Sequence, residues 1–160
     1  MIFVTVGSQK FQFNRLLKEI DNLIQEGKIQ EEVFAQIGAS DYKPKNYSFK
    51  EFITQDEFNN YINESHIVIT HAGTGVIINA IKRGKKVIGV PRLAKYGEHV
   101  DDHQIQLIKE FTEMNFIMSA YDTTQLYDRI KEIDNKKFNE YKSNTEVLIE
   151  DINKFITGED

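Results

Sequence analysis

THAGTGVIINAIKRGKKVIGVP, residues 70–91, is the stretch on which the reading of this chain turns. The run that leads into it, HIVIT at 66–70, is almost continuously apolar, as suits a strand covered on both sheet faces. Glycines at 73 and 75 punctuate the turn that follows. From Thr74 to about residue 83 the apolar residues recur at helical spacing, Gly84 stops the helix, and residues 86–90 form a second apolar run ending at Pro91. Strand, glycine turn, helix, strand is the crossover unit of a parallel sheet. The glycines and the histidine at its first junction serve either close packing or a ligand that meets bare backbone.

The same alternation extends in both directions. Residues 2–6 read as a strand ending at Gly7, followed by a helix from Phe13 with Leu16, Leu17, Ile20, Leu23 and Ile24 on one face and Gly27 at its end. Strands follow at 33–37 and 47–52, and a short helix at 55–63. Beyond Pro91 the pattern predicts a helix over 100–114, a strand at 116–118, and a helix capped by Asp122 and reaching residue 133. A last helix is expected from about 137 to 156, with Phe138, Tyr141, Val147, Leu148, Ile152, Phe155 and Ile156 on its apolar side. The predicted architecture is a single α/β domain over residues 1–160: a Rossmann-like, open parallel sheet with helices on both faces.

Composition narrows the function classes. A net charge of −5, with Lys and Arg scattered, lacks the basic face by which phosphate backbones are neutralised, so no nucleic-acid partner is expected. The absence of cysteine excludes disulfides, thiolate metal sites and a cysteine nucleophile. MIFVTVG reads as a first strand rather than a signal peptide, and no apolar run approaches the ~20 residues of a bilayer span. The expectation is a cytoplasmic chain with any membrane attachment made through a surface or a partner.

In an open parallel sheet, ligands bind beyond the carboxyl ends of the strands. Three loops point there. VGSQK brings Gly7, Ser8 and Gln9 to the start of the first long helix, where free amides and the helix dipole attract anions; a plain tight turn with a cap is the other reading. HAGTG offers Gly73, Thr74 and Gly75, and is neither a dinucleotide fingerprint nor a Walker loop. His71 reads either as a ligand contact or as a buried residue that holds the turn. VPRLAKYGEHVDDHQ gathers Glu98, His99, Asp101, Asp102, His103 and Gln104 before a helix. Carboxylates and carboxamides of this kind suit sugar hydroxyls, which donate and accept, whereas the spacing lacks the HExxH pattern of a metal site. A solvated acidic loop with a helix cap is the alternative.

HAGTG, the helix closing in GKKVIGVP, and DDHQ, in that order, resemble the C-terminal, nucleotide-sugar-binding half of MurG-like GT-B glycosyltransferases. The pattern is most similar to the single-domain PssE-type subunits of bacterial capsule and exopolysaccharide clusters. It is similar too to the cytosolic subunit of the eukaryotic bipartite N-acetylglucosaminyltransferase that acts on dolichol-linked sugar. The resemblance runs from MIFVTVGSQKFQFNRLL through DDHQ.

This resemblance implies half of a GT-B fold and a UDP-sugar donor, galactose or another UDP-hexose, whose glycosyl group passes to a lipid-linked acceptor. It implies no required cofactor and no metal. By position, Gly7, Ser8 and Gln9 match the diphosphate loop and Ile53 the place where backbone groups read the uracil edge. Gly73, Thr74 and Gly75 match the second glycine turn, and Asp102, His103 and Gln104 the donor-sugar contacts. Relatives often carry a ribose-binding carboxylate in the helix after that turn; Asn79 stands there, with Glu98 as a possible substitute. The acceptor site and catalytic base are then expected on a separate membrane-associated subunit, which would hold the chain at the inner face of the cell membrane. Arg92 and His99 are weaker candidates for facing the acceptor, and Tyr141, Phe155 and Ile156 for docking the partner. The competing reading is a non-catalytic UDP-sugar-binding module that regulates or scaffolds a polysaccharide assembly. A response-regulator-like phosphate binder would need an acidic cluster after the first strand, which VTVGSQK lacks.

Overall fold

A computed structural model describes residues 1–71 and 73–142. Six strands, β1 (Ile2–Thr5), β2 (Val33–Gln36), β3 (Ser48–Lys50), β4 (Ile67–Thr70), β5 (Lys86–Gly89) and β6 (Met118–Ser119), form one sheet. Its order is β3-β2-β1-β4-β5-β6, with every pair parallel. The helices between them are α1 (Asn14–Gln25), α2 (Gln55–Glu64), α3 (Thr74–Lys82) and α4 (His103–Glu113), and α5 (Leu126–Ile133) follows β6. The strand order reverses at β1, which pairs with β2 on one side and β4 on the other in matching register, Ile2 lying opposite both Val33 and Ile67. That reversal opens a crevice at the carboxyl ends of β1 and β4.

Side-chain alternation along the strands divides the core into two layers. Ile2, Val4 and Val6 point with Ala35, Ile69 and Ile88 towards α1 and α5, where Leu16, Leu17, Ile20, Leu126 and Ile133 are buried. Phe3, Phe34, Val68 and Val87 point the other way, against Ile62 of α2, Ile77 and Ile81 of α3, and Ile108 and Phe111 of α4. On that second face Phe34 and Tyr61 stack at 3.9 Å and Phe58 meets Phe3 edge-on at 5.5 Å. Among the described residues no helix is long and apolar enough to cross a membrane.

Three expectations are corrected. The helix predicted from residue 100 begins at His103, after a 3-10 turn at Ala94–Tyr96 that periodicity did not reveal. Asp101 Oδ1 accepts from His103 N–H and Asp102 Oδ1 from Ala94 N–H, so the two carboxylates hold the chain in a capping loop instead of extending the helix. Helix is predicted from about residue 137, yet residues 137–142 carry no regular structure; the rest of that expected helix, Phe155 and Ile156 included, lies outside the described residues. The cause is local: Asn139 N–H donates to Asn115 O, its side chain to Met114 O, and Asn115 Nδ2 to Lys137 O. These bonds pin the segment to the end of α4. Finally, the predicted strand at 116–118 is shifted to Met118–Ser119, which pair with Ile88 and Gly89.

Candidate functional site

At the β1/β4 crevice lies a cleft of about 390 Å³. Its floor is polar: Thr5 Oγ1 donates to Gln36 Oε1 at 2.8 Å, and Thr70 Oγ1 donates to Thr5 O at 2.9 Å. Gly7 and Ser8 line one side, Ile53, Thr54, Gln55 and Phe58 a second, and Gly75, Val76 and Asn79 of α3 a third. Of the residues proposed from sequence, the cleft brings together Gly7, Ser8, Ile53, Gly75 and Asn79. Thr5, Gln36, Thr54, Gln55, Phe58 and Val76 were not anticipated. Two of them had a signal: Gln36 is a polar residue ending an apolar strand, and T-x-x-E at 54–57 marks a capped helix start, realised as a reciprocal box between Thr54 and Glu57.

Two helix starts, those of α1 and α3, lie at the carboxyl edge of the sheet, and α3 lines the cleft directly. At α1, Phe13 N–H donates to Ser40 Oγ and Asn14 N–H to Gln12 Oε1, although the N-cap Phe13 itself makes no side-chain cap bond. The α3 start has no side-chain cap, and the N–H groups of Thr74, Gly75 and Val76 have no intrachain acceptor among the described residues. Open N–H groups at a helix start facing a cleft suit phosphate oxygens. Gly75 is exposed, and a Cβ added there would meet no atom within 4 Å.

Gly7, Gly73 and His71 have a different relation. A Cβ on Gly7 would lie 2.6 Å from His71 Nε2, and one on Gly73 would lie 2.8 Å from His71 Cε1. The imidazole therefore fills the space that both glycines vacate, and Gly7 also holds a φ of +76°. His71 is 5% exposed, and its Nδ1 is buried with no hydrogen-bond partner among the described residues. Burial, reinforced by the charge of Arg92 and by His99, holds its pKa at about 3, so it is neutral at physiological pH. Of the two readings of His71, the packed one describes its surroundings.

The third loop is bound into the fold more than its composition suggests. Glu98 is 1% exposed and grips Arg15 through Nε–Oε2 at 3.1 Å and Nη2–Oε1 at 3.0 Å, while Oε1 also accepts from Leu93 N–H. It is not placed to serve a ribose. Arg92 is fully buried, which removes it from any outward-facing role. Gln104 is buried and accepts from Arg92 N–H at 3.1 Å, whereas Asp102 and His103 are exposed at the start of α4. Gln9 is exposed on the first loop and, like Asp102, His103 and Gln104, does not line the cleft. Asn79 donates to Asn59 Oδ1 and accepts from Arg83 Nε at 2.7 Å, leaving one N–H and one lone pair for a ligand. Among the described residues, neither Asp, Glu nor His lines the cleft. A larger hollow, about 560 Å³, lies at the opposite sheet edge between α3, the start of β5 and residues 136–141.

Residues 1–157 match the glycosyltransferase family 28 C-terminal domain. The UDP-N-acetylglucosamine transferase subunit ALG13 of Candida albicans is 26% identical over 108 residues, covering 68% of this chain and 35% of that protein. The chain thus spans about a third of the length of this curated relative. In structure, the solution structure of ALG13 superposes with a TM-score of 0.60 at 17% identity, covering 97% of this chain and 94% of that one. The glycosyltransferase SnogD from Streptomyces nogalater superposes with a TM-score of 0.59 at 16% identity, covering 98% of this chain and 39% of SnogD.

Proposed function

The chain belongs to the glycosyltransferase family 28 C-terminal domain family, and from that premise we propose that it is the donor-binding subunit of a UDP-sugar-dependent glycosyltransferase. One observation carries the proposal: uncapped α3 amides, a glycine with free space and a polar floor meet in one cleft at the point where the strand order reverses. The uracil edge lies against residues 53–55, the ribose at Asn79, and the diphosphate over the α3 start and the loop of Gly7 and Ser8.

The chain's chemical contribution is charge stabilisation. As the bond between sugar C1 and the diphosphate oxygen breaks, negative charge grows on UDP, and preorganised N–H groups lower the energy of that state. The new bond joins C1 to an acceptor hydroxyl oxygen, whose proton needs a base. Among the described residues the cleft lining is Thr, Gln, Asn, Ser, Gly and apolar side chains without Asp, Glu or His, which supports a base supplied by a second subunit. The curated relative is itself named as a subunit. The acceptor is a lipid-linked glycan on a membrane-associated partner, with the chain on the cytoplasmic side, and the setting is capsular or exopolysaccharide synthesis. No cofactor is needed for this role. The donor is a UDP-hexose such as UDP-galactose; the relative's name adds UDP-N-acetylglucosamine to the donors that must be compared.

A thermal-shift panel of UDP, UDP-galactose, UDP-glucose, UDP-glucuronate and UDP-N-acetylglucosamine tests the site, since a ligand that binds only the folded state raises Tm. Stabilisation by none of them removes the proposal. Transfer assayed with the chain alone and with its membrane-associated partner then separates a shared catalytic site from a binding module: transfer only by the pair supports the first, nucleotide binding without transfer by either the second.

A further inference from the structure

Arg92 follows β5 and Pro91 and is fully buried. Its Nη2 donates to Val6 O at 2.6 Å and to Phe11 O at 3.3 Å, so one guanidinium ties both ends of the Gly7–Ser8 loop. Its main-chain N–H donates to Gln104 Oε1 in the first turn of α4. Nε and Nη1 are buried with no hydrogen-bond partner among the described residues, and the guanidinium lies over the Phe13 ring, 5.5 Å from its centroid. Burial lowers the Arg92 pKa to about 10, with Glu98 opposing, and the group stays charged at neutral pH. Leaving a buried cation with donors unused is costly, and a neutral side chain would fill the space more cheaply if packing were the whole task. The two loops are joined elsewhere too: the Phe11 and His99 rings lie 5.0 Å apart, Gln12 Nε2 donates to Tyr96 O, and Arg15 pairs with Glu98.

We infer that Arg92 is a positioning residue that couples the diphosphate loop to the α4 start, so that engagement of Gln104 sets the conformation of Gly7 and Ser8. The coupling runs in one continuous chain, from the Gln104 carboxamide to the Arg92 backbone, along its side chain to the Val6 and Phe11 carbonyls. Gln104 Oε1 is spent on Arg92, which leaves its NH₂ group for a donor sugar that extends beyond the cleft towards the start of α4. A sugar hydroxyl that draws on that NH₂ group strains or relaxes the same chain and so reports its presence at the diphosphate. This inference rests on the donor-site reading for its meaning, but its physical core is a property of the ligand-free protein.

The test follows amide NMR shifts in the free protein and UDP affinity by calorimetry for the wild type, Gln104→Met, Arg92→Lys and the double variant. UDP has no sugar to touch Gln104. The coupling predicts that Gln104→Met moves the Gly7 and Ser8 amides while those of α5 stay in place. It also predicts that Gln104→Met weakens UDP about fivefold and Arg92→Lys about tenfold, with the double variant no weaker than Arg92→Lys alone. Wild-type shifts and UDP affinity in Gln104→Met, or losses that multiply in the double variant, would overturn it. Should Arg92→Lys fail to fold, the Gln104→Met shifts decide by themselves. Failure of UDP to bind the wild type removes the donor reading, whereas the free-protein shifts still decide the coupling.

Discussion

Gly7 and His71, sixty-four positions apart, share one volume: a Cβ on the glycine would sit 2.6 Å from the imidazole Nε2. Gly7→Ala therefore suffers twice, from this clash and from a φ of +76° that costs an alanine about 1–2 kcal/mol. Urea denaturation should show a loss above that range in the wild-type background. In a His71→Ala background the further loss should fall to about 1–2 kcal/mol, since only the backbone strain remains. Equal losses in both backgrounds would mean that the ring yields freely.

His71 also sets a pH dependence. Its folded pKa is about 3 against an ordinary 6.5. Between these values the unfolded chain binds a proton that the folded chain refuses, so stability is full above 6.5 and falls as the pH drops towards 3. The limiting slope for one proton is about 1.4 kcal/mol per pH unit. Urea midpoints measured from pH 7 to pH 4 should fall more steeply for the wild type than for His71→Gln. Parallel curves would contradict the assignment.

Gly75 offers the opposite behaviour from Gly7. Nothing lies within 4 Å of a Cβ placed there, and its φ is not positive. Gly75→Val should keep stability within about 0.5 kcal/mol. Its side chain enters the cleft, and UDP affinity should fall tenfold or more, about 1.4 kcal/mol. Unchanged affinity by calorimetry would move the diphosphate away from α3.

Glu98 is a structural carboxylate by its contacts. Glu98→Ala strips Arg15 and Leu93 N–H of their partner and should cost about 3 kcal/mol, the scale for breaking a buried pair. The ratio of UDP to 2′-deoxy-UDP affinity should stay as in the wild type. A changed ratio in a folded variant would return Glu98 to the ribose.

Asn79 is where that ratio should move. Asn79→Asp supplies a charged acceptor beside the proposed ribose position and keeps the bond from Arg83. Preference for UDP over 2′-deoxy-UDP should rise about threefold or more, a gain expected of one stronger hydrogen bond. No change would place the ribose elsewhere.

The sheet and its helices were legible because their signals are local. Alternating apolar runs, helical spacing in 13–24 and stops at Gly27 and Gly84 follow from backbone geometry within a few residues, and α1, α3 and all six strands stand where these signals put them, within a few residues. The signal failed where side chains competed with the backbone. Asp101 and Asp102 trade helix for a capping loop, and Asn115 and Asn139 hold residues 137–142 out of one. The cleft was half legible, since Gly7, Ser8, Ile53, Gly75 and Asn79 line it, while Thr5 and Gln36 meet only through a strand pairing that spans 31 positions.

Sequence alone determined the alternation of strands and helices, and with it the edge where ligands gather, because periodicity and glycine turns act over one element at a time. Tertiary structure alone decided which polar groups at that edge remain free. Arg15 meets Glu98 across 83 positions and Arg92 meets Val6 across 86, so the donors and acceptors these residues spend on one another could not be counted along the chain. A carboxylate suited to a sugar and one suited to a buried arginine are the same chemical group; only proximity in space distinguishes them.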